Sequence, residues 1–550
     1  MRFMSSCRIL LTLAAAICTA ACVSIDDELG SSMVPVSSTW KTVTPAPAPL
    51  PVKQLMADSL SGFSSNRITI GAIRQDAEYG LTTRSSVVSI VPLFNKDFDM
   101  GTDRRFISMH MAVALDSVSV ENKSESGILQ NVGVYEASRP VDFKTDGDCN
   151  AVFPHGSVRI SDGVPVINGS DSLSFCFTKE FGSKYLQADK YLSDFASYSA
   201  QFPGIYLETS KPSGNGGRIN LFELQLGYNS DYGYITGNYV SLRFSAVYNG
   251  ERRDTAAFFY LAATGLYDLD SLSTNSGTGS FPQYALNLTG HETAPRSGDA
   301  STEILVEGGG GLKPVVSAAD IRKTIIDAID SREGEGAHTK AIINRATLNF
   351  HYYNDFAAGG DYSLLYKLPE ILSPTCRIRQ SGARVTFMGL TDSSSSEENQ
   401  GNRDLSNLSF TPDITYHAQE LIGMDDDNAS LRDGSYDIWL LIMHNDLVTT
   451  TSGGNNDLSD YYQYLAYQSY MSNMYGGYGG YGYGGYGGYG YNNYYNYAML
   501  AQMYGQSTTS TSSQTNLDRD RYYCCRLYGP AAAEESLRPT LSFTYSIPNK

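Results

Sequence analysis

The sequence predicts a mainly β protein built of two antiparallel β-sandwich domains with few short helices, and three observations predict it. The first is alternation. In "NYVSLRFSAVYNGERRDTAAFFYLA", Val240, Leu242, Phe244, Ala246 and Tyr248 share one face, while Ser241, Arg243 and Ser245 share the other. That is the period of a half-buried strand. Asn249 and Gly250 then supply the residues a two-residue type I′ turn demands, and a second apolar run follows, so the stretch reads as a hairpin. The second observation is recurrence. "RITIGAI", "GARVTFMGL", "YDIWLLIM" and "RPTLSFTYSI" read as further strands. The last opens on Pro539, which suits a strand's first residue or a sheet edge. The third is that helical periodicity is confined to "SAADIRKTIIDAID", with Ser317 as N-cap, Asp320 three residues on, and Ile321, Ile325 and Ile329 along one stripe. Strand-rich sequence with one such helix packs sheet on sheet. The shift to small polar residues in "STNSGTGSFPQ" divides it into an N-terminal domain, 61–280, and a C-terminal domain, 281–550.

Ahead of these domains, Arg2 and Arg8 precede an apolar segment from Ile9 to Ala21, and Ala20 and Ala21 precede Cys22. A charged start, a short apolar run and small residues at the cut describe a signal peptide, 1–21. The run is shorter than the roughly 20 residues that a bilayer span needs. With Cys22 as the first residue after the cut, the segment reads as a bacterial lipoprotein signal. Acyl chains on Cys22 would then anchor the protein stably. Asp26, Asp27 and Glu28 follow directly and resemble the acidic surface-export signal of Bacteroidota lipoproteins. The expected location is therefore the outer membrane, lipid-anchored and facing the cell surface. Pro-rich sequence from Val34 to Val52 continues as an extended spacer, so 22–60 reads as a tether.

Acids outnumber bases by 58 to 40. A chain of this sign is repelled by phosphate backbones, which argues against nucleic acid as a partner. After Cys22, five cysteines remain, Cys149, Cys176, Cys376, Cys524 and Cys525, an odd number at irregular spacing. They read mainly as small buried hydrophobes, although a Cys149–Cys176 bridge is an open alternative. Cys524 and Cys525, adjacent in a strand, must face opposite sides and are not expected to be core residues together.

No residue set announces chemistry. The seven histidines are scattered without metal-ligand spacing. "EGGGGLK" lacks the Ser/Thr that opens the helix of a phosphate loop and reads as a glycine bend joining a strand to the helix. "MDDDNASLRDGSYD" lacks the central Gly and final Glu of a calcium loop and reads as a solvated acidic loop. No cofactor, metal or catalytic residue is expected. Five triplets match the Asp-(Ser/Thr)-apolar acceptor pattern of Bacteroidota O-glycosylation, at Ser59, Ser117, Ser172, Thr255 and Ser271. An insertion at about 449–518 begins with Tyr/Gly repeats, "MYGGYGGYGYGGYGGYGYNNYYNY", and continues into a Ser/Thr/Gln run. Such repeats cannot build a core, because glycine adds entropy and no apolar area. Tyr475, Tyr478, Tyr481, Tyr486 and Tyr489 would offer contact area at low entropic cost, as binding loops do, or mark a tolerated expansion.

Several strings occur together and in order: "CVSIDDELGSSMVP", "LDSVSVENK" with "NVGVYEASRPV", "FPGIYLETS", "VEGGGGLKPVV", "AIINRATLNFHY" and "RPTLSFTYSI". In these the chain resembles a large Bacteroidota family of outer-membrane lipoproteins, grouped as a domain of unknown function. The part from "GGGGLKP" through "INRATLNF" to "RPTLSFTY" is also similar to jelly-roll modules of secreted bacterial surface proteins, which implies a jelly-roll-like C-terminal domain. Neither resemblance carries a catalytic residue set, and the Tyr/Gly insertion departs from both. The expected function is a non-enzymatic binding or structural component of the cell envelope. The alternatives are an accessory subunit docked on an outer-membrane β-barrel protein, in assembly or export, and a glycan-binding lipoprotein in nutrient uptake.

Overall fold

The computed structural model describes residues 39–549 except 65–66, 76–78, 95–97, 171, 225, 230–233, 267–282, 355–361, 380–384, 393–400 and 452–508. Strand makes up 48% of it and helix 17%, with every sheet antiparallel, so the mainly β expectation holds.

In the N-terminal sandwich, one sheet carries Gln130–Ala137, Ile205–Thr209, Leu81–Val88, Arg67–Arg74, Gly216–Glu223 and Leu115–Val120 as neighbours in that order. The facing sheet runs Leu173–Cys176, Thr102–Val113, Tyr239–Tyr248, Glu251–Leu261, Ile90–Pro92. Between them lie Ile68, Ile70, Met109, Met111, Val132, Val240, Leu242 and Phe244, all buried. The hairpin read from the sequence is present. Tyr248 pairs with Glu251, and Asn249 and Gly250 bridge them at φ 51° and 84°, the left-handed pair that this turn requires. Two short helices, Lys179–Lys184 and Phe195–Gln201, pack Phe181 and Tyr198 into the same core. The sequence pointed to one helix only; these are too short to show a period of 3.6.

The C-terminal sandwich sets Ile342–His351 and Thr540–Pro548 in one sheet and Leu312–Val316, Ile438–Thr451, Ile371–Arg379 and Val385–Gly389 in the other. Ala346, Leu348, Phe350, Leu541, Phe543 and Tyr545 meet Ile438, Leu440 and Ile442 in its core. Helix Ala318–Glu333 adds Ile321, Ile325 and Ile329, the predicted stripe, each fully buried. Full burial of such a side chain stabilises by about 1.5–3 kcal/mol. Ser317 stands at the N-cap position without a side-chain capping bond. The Asp437 carboxylate accepts from the Ala318 N–H instead, at 2.9 Å.

Four sequence expectations need correction. The tether does not run free to residue 60. Trp40–Val43 pairs with Thr540–Pro548, and Lys53–Met56 pairs with Leu312–Val316, so the Pro-rich stretch is built into the C-terminal sheets. Extended Pro-rich backbone suits edge positions, where a missing N–H costs nothing. The change of sheet falls after His291 and not at 280, because Ala285–His291 pairs with Leu81–Val88 of the N-terminal sandwich. The Ser/Thr run is partly strand: Thr509–Leu517 pairs along Ile438–Thr451 from Leu517 opposite Met443 to Thr509 opposite Thr451. Finally, Cys524 and Cys525 do face opposite ways, yet both pack inward. Cys525 enters the C-terminal core, while Cys524 meets Ile73, Ile219, Leu221 and Tyr522, because the N-terminal sandwich covers its side of the strand.

Candidate functional site

The densest group of ionisable side chains lies between the two sandwiches, around the glycine bend. Glu303–Glu307 and Leu312–Val316 are strands joined by Gly308–Gly311, so the bend connects strand to strand and the helix begins only at Ala318. Lys313, 2% exposed, folds back into the bend, and its Nζ donates to the carbonyls of Glu307, of Gly309 at 3.0 Å and of Gly311 at 3.1 Å. The bend thus converges carbonyl oxygens on a cation. A phosphate cradle converges N–H groups, the opposite polarity.

Why four glycines stand there follows from the neighbours. A Cβ on Gly310 would collide with Asn150 and Cys149 of the N-terminal sandwich, one on Gly308 with the Arg521 carbonyl, and one on Gly311 with the Glu307 side chain. The bend is wedged between the two bodies, and only backbone fits. Asn150 Nδ2 donates to the Gly310 carbonyl at 2.9 Å, and Gly308 N–H donates to the Tyr523 carbonyl at 3.3 Å.

Charge is arranged around this wedge. The Glu307 carboxylate accepts from Thr293 Oγ1 at 2.6 Å and from the Leu312 N–H at 3.0 Å, with His291 Nδ1 at 3.4 Å. Burial alone would raise this carboxyl; His291, the Leu312 N–H and the Thr293 hydroxyl outweigh it and hold it down to about 2. Burial lowers the imidazole of His291 below its ordinary value, against the opposing pull of the Glu307 carboxylate. Burial likewise brings Lys313 down to about 7. Arg84, 1% exposed, reaches in from the N-terminal sheet and is also lowered by burial. Its Nη1 donates to the Thr83 carbonyl at 3.1 Å, and its Nη2 lies against Gly309.

A second layer follows in the segment after Leu517. Asp518 is bridged by Arg521 at 2.8 Å and accepts from Tyr523 OH at 2.7 Å. Asp520 crosses to the N-terminal sandwich, accepting from Thr69 Oγ1 at 3.3 Å and Asn287 Nδ2 at 3.2 Å, and burial raises its carboxyl. Arg519 Nη1 donates to the Ser61 carbonyl at 3.0 Å. Further out, Lys367 pairs with Glu121, Arg377 with Asp58 at 2.7 Å, and Tyr79 OH donates to the Cys525 carbonyl at 2.6 Å. Apolar contact completes the seam, through Ile73, Ile219 and Leu221 on Tyr522 and through Tyr79 on Leu305 and Leu312.

Chemically this arrangement binds one body to the other. Lys313 is taken up by the bend carbonyls and Glu307 by Thr293 and the Leu312 N–H, whereas Arg84 bonds the Thr83 carbonyl and keeps Nε and Nη2 buried without a hydrogen-bond partner among the described residues; these central members are shut away from solvent. Sequence reasoning noticed the glycines and missed Arg84, His291, Glu307, Lys313 and Asp520. Four consecutive glycines between an acid and a lysine, inside otherwise apolar strands, were the available signal. Their partners lie hundreds of residues away.

The structure does not bring the sequence-predicted site residues together. Cys22, Asp26, Asp27, Glu28, Ser271, Tyr475, Tyr478, Tyr481, Tyr486 and Tyr489 lie outside the described residues. Ser59 is buried against Arg377 and Asp58, which makes it a poor glycan acceptor. Ser117 is half-buried opposite Leu221, and Thr255 is half-buried opposite Phe244, on the face that turns toward the core. Ser172 is exposed. All five cysteines from Cys149 to Cys525 are free thiols, so the Cys149–Cys176 bridge is not formed. In the acidic loop, Asp426 pairs with Arg322 at 2.5 Å, and Asn428 caps a short helix. Among the described residues, no helix is long and apolar enough to cross a membrane. Comparison of the chain with protein-family models, with curated proteins and with solved structures finds no match.

Proposed function

We propose that the chain is an outer-membrane lipoprotein, anchored through Cys22 and displayed at the cell surface, that acts as a non-enzymatic binding or structural component of the cell envelope. The observation that carries this reading is the sealed seam. A buried cluster of ionisable groups among the described residues lies between the two sandwiches, and its central groups, Arg84, His291, Glu307 and Lys313, are closed to substrate. Rigid attachment of this kind suits a protein whose task is to hold a surface in place. Two further features support it. The chain enters its sheet at Trp40, close behind the acylation site read at Cys22. Thr451 and Thr509, the residues on either side of 452–508 in the sequence, are ladder partners, a placement that suits an appended binding element.

Isolation of the native protein from membranes in mild detergent tests the reading. Recovery in the membrane fraction without a stoichiometric companion, together with measurable binding to surface material, is the expected result. A stoichiometric β-barrel protein would favour the accessory-subunit role, and selective retention on a glycan column the nutrient-uptake role. Recovery as soluble protein, or a turnover activity in the purified material, would overturn the proposal.

A further inference from the structure

We infer that the corner of the C-terminal sandwich around Trp40 is a lipid-contacting surface that seats the protein on the membrane; this rests on the anchor reading above. Trp40 is 51% exposed at the edge of its sheet and lies directly opposite Pro548. Two residues along, Thr42 is opposite Ser546, and Ser546 is opposite Ile342, which is 50% exposed. Because side chains alternate along a strand, Trp40, Pro548 and Ile342 stand on one face, together with Asn344, whose Nδ2 bonds Ser546 Oγ at 2.7 Å. The indole, the proline ring and the isoleucine therefore share one outer, Ser/Thr-rich face of the sheet, with Ser546 and Thr42 beside them.

Its surroundings carry the other half of the argument. In a chain with 58 acids and 40 bases, two exposed cations, Lys340 and Arg345, flank Ile342 in the sequence, and Arg345 lies opposite Thr544, which shares the face of Ser546 and Pro548. Lys41 turns to the other face of its strand and is paired with the buried Glu333 at 2.6 Å, Asp330 is taken up by His338 at 2.8 Å, and Glu335 is exposed. A sheet face that exposes a tryptophan, a proline and an isoleucine beside two cations has the composition of a surface that settles at lipid headgroups. Indole prefers that level, and the cations meet anionic phosphates. Residue 39 leads directly into this face. From an acylated Cys22 the intervening chain reaches at most about 60 Å when fully extended, and it joins the folded body at this corner.

The chain has two tryptophans, and the second, Trp439, is 3% exposed, so the signal that Trp40→Phe removes belongs to a surface residue. The full-length acylated protein is reconstituted with phosphatidylethanolamine/phosphatidylglycerol vesicles whose acyl chains are either plain or brominated, and flotation and tryptophan emission are read together. The expected result is flotation with a loss of emission in brominated vesicles that disappears in Trp40→Phe, and a weaker loss in Lys340→Ser/Arg345→Ser. Flotation with equal emission in both kinds of vesicle overturns the surface and leaves the anchor standing. Failure to float overturns the anchor and the surface with it.

Discussion

Replacing Lys313 by methionine keeps the length of the side chain and removes the ammonium that closes the glycine bend. Three buried carbonyls then lose their donor, and Glu307 keeps its charge without the neighbouring cation. Breaking one side of a buried charged contact costs about 3–5 kcal/mol, and we expect the lower end at pH 7, because the variant also escapes the cost of burying an ammonium. That cost has a pH signature. The folded pKa of Lys313 is about 7 against an ordinary 10.5. A base whose folded pKa is depressed carries its full penalty below the folded value. The penalty is relieved as pH rises toward the unfolded one, since in that window the unfolded chain binds more protons. Between pH 7 and pH 9 the wild type should therefore gain about 2 kcal/mol that the methionine variant cannot gain. Urea unfolding of both proteins at several pH values measures the difference, in which titrating groups remote from Lys313 cancel. A gap that stays constant from pH 7 to pH 9 would refute the reasoning, since it would mean that Lys313 is as easily charged in the seam as in water.

Three other outcomes are expected. Cys22→Ser should abolish incorporation of an alkyne fatty acid, and Asp26, Asp27 and Glu28 changed together to Ala should keep the label while protecting the protein from protease added to intact cells; label in the first variant, or unchanged cleavage of the second, defeats these assignments. Of the described acceptor triplets, the exposed Ser172 should carry any glycan. Intact mass of the mature protein would show a loss of that mass in Ser172→Ala, and a mass accounted for by acyl chains alone removes the idea. Replacing 452–508 by about six Gly/Ser residues should leave the fold intact, since Thr451 and Thr509 are already ladder partners. The shorter closure stabilises the hairpin by up to about 2 kcal/mol. A large drop in unfolding temperature, followed through Trp439 in the same strand, would contradict it.

What could be read in advance was whatever local pattern dictates. Asn249–Gly250 fixes a turn by backbone chirality alone, and the Ile321, Ile325, Ile329 stripe fixes a helix face by period alone, so both were legible. The strand Thr509–Leu517 was not, because Ser, Thr and Gln in succession carry no apolar alternation, and its pairing is dictated by the partner strand. Proline hid the strands between Trp40 and Met56 by suggesting a free extended chain. The seam was the least legible part. Lys313 looks like an ordinary charged residue until the bend is seen to turn its carbonyls inward, Arg84 is buried against a bend more than 200 residues away in sequence, and Asp520 is committed to Thr69 and Asn287 on other elements. No window along the chain contains that information.

The pairing of Trp40–Val43 with Thr540–Pro548 also sets a timetable. The C-terminal sandwich takes its first strands from residues 40–56, before the N-terminal sandwich has been made, and its last from 540–548, after everything else. Thr42 and Ser546, side-chain partners at 3.0 Å, are 504 residues apart. At ordinary rates of synthesis the first of them waits on the order of a minute for the second. The N-terminal sandwich, whose last strand ends at His291, can meanwhile complete itself. A chain that stops between His291 and Thr540 thus carries one finished sandwich and one with an open edge along Trp40–Val43, so truncation near the C-terminus leaves unpaired the strand that was made first.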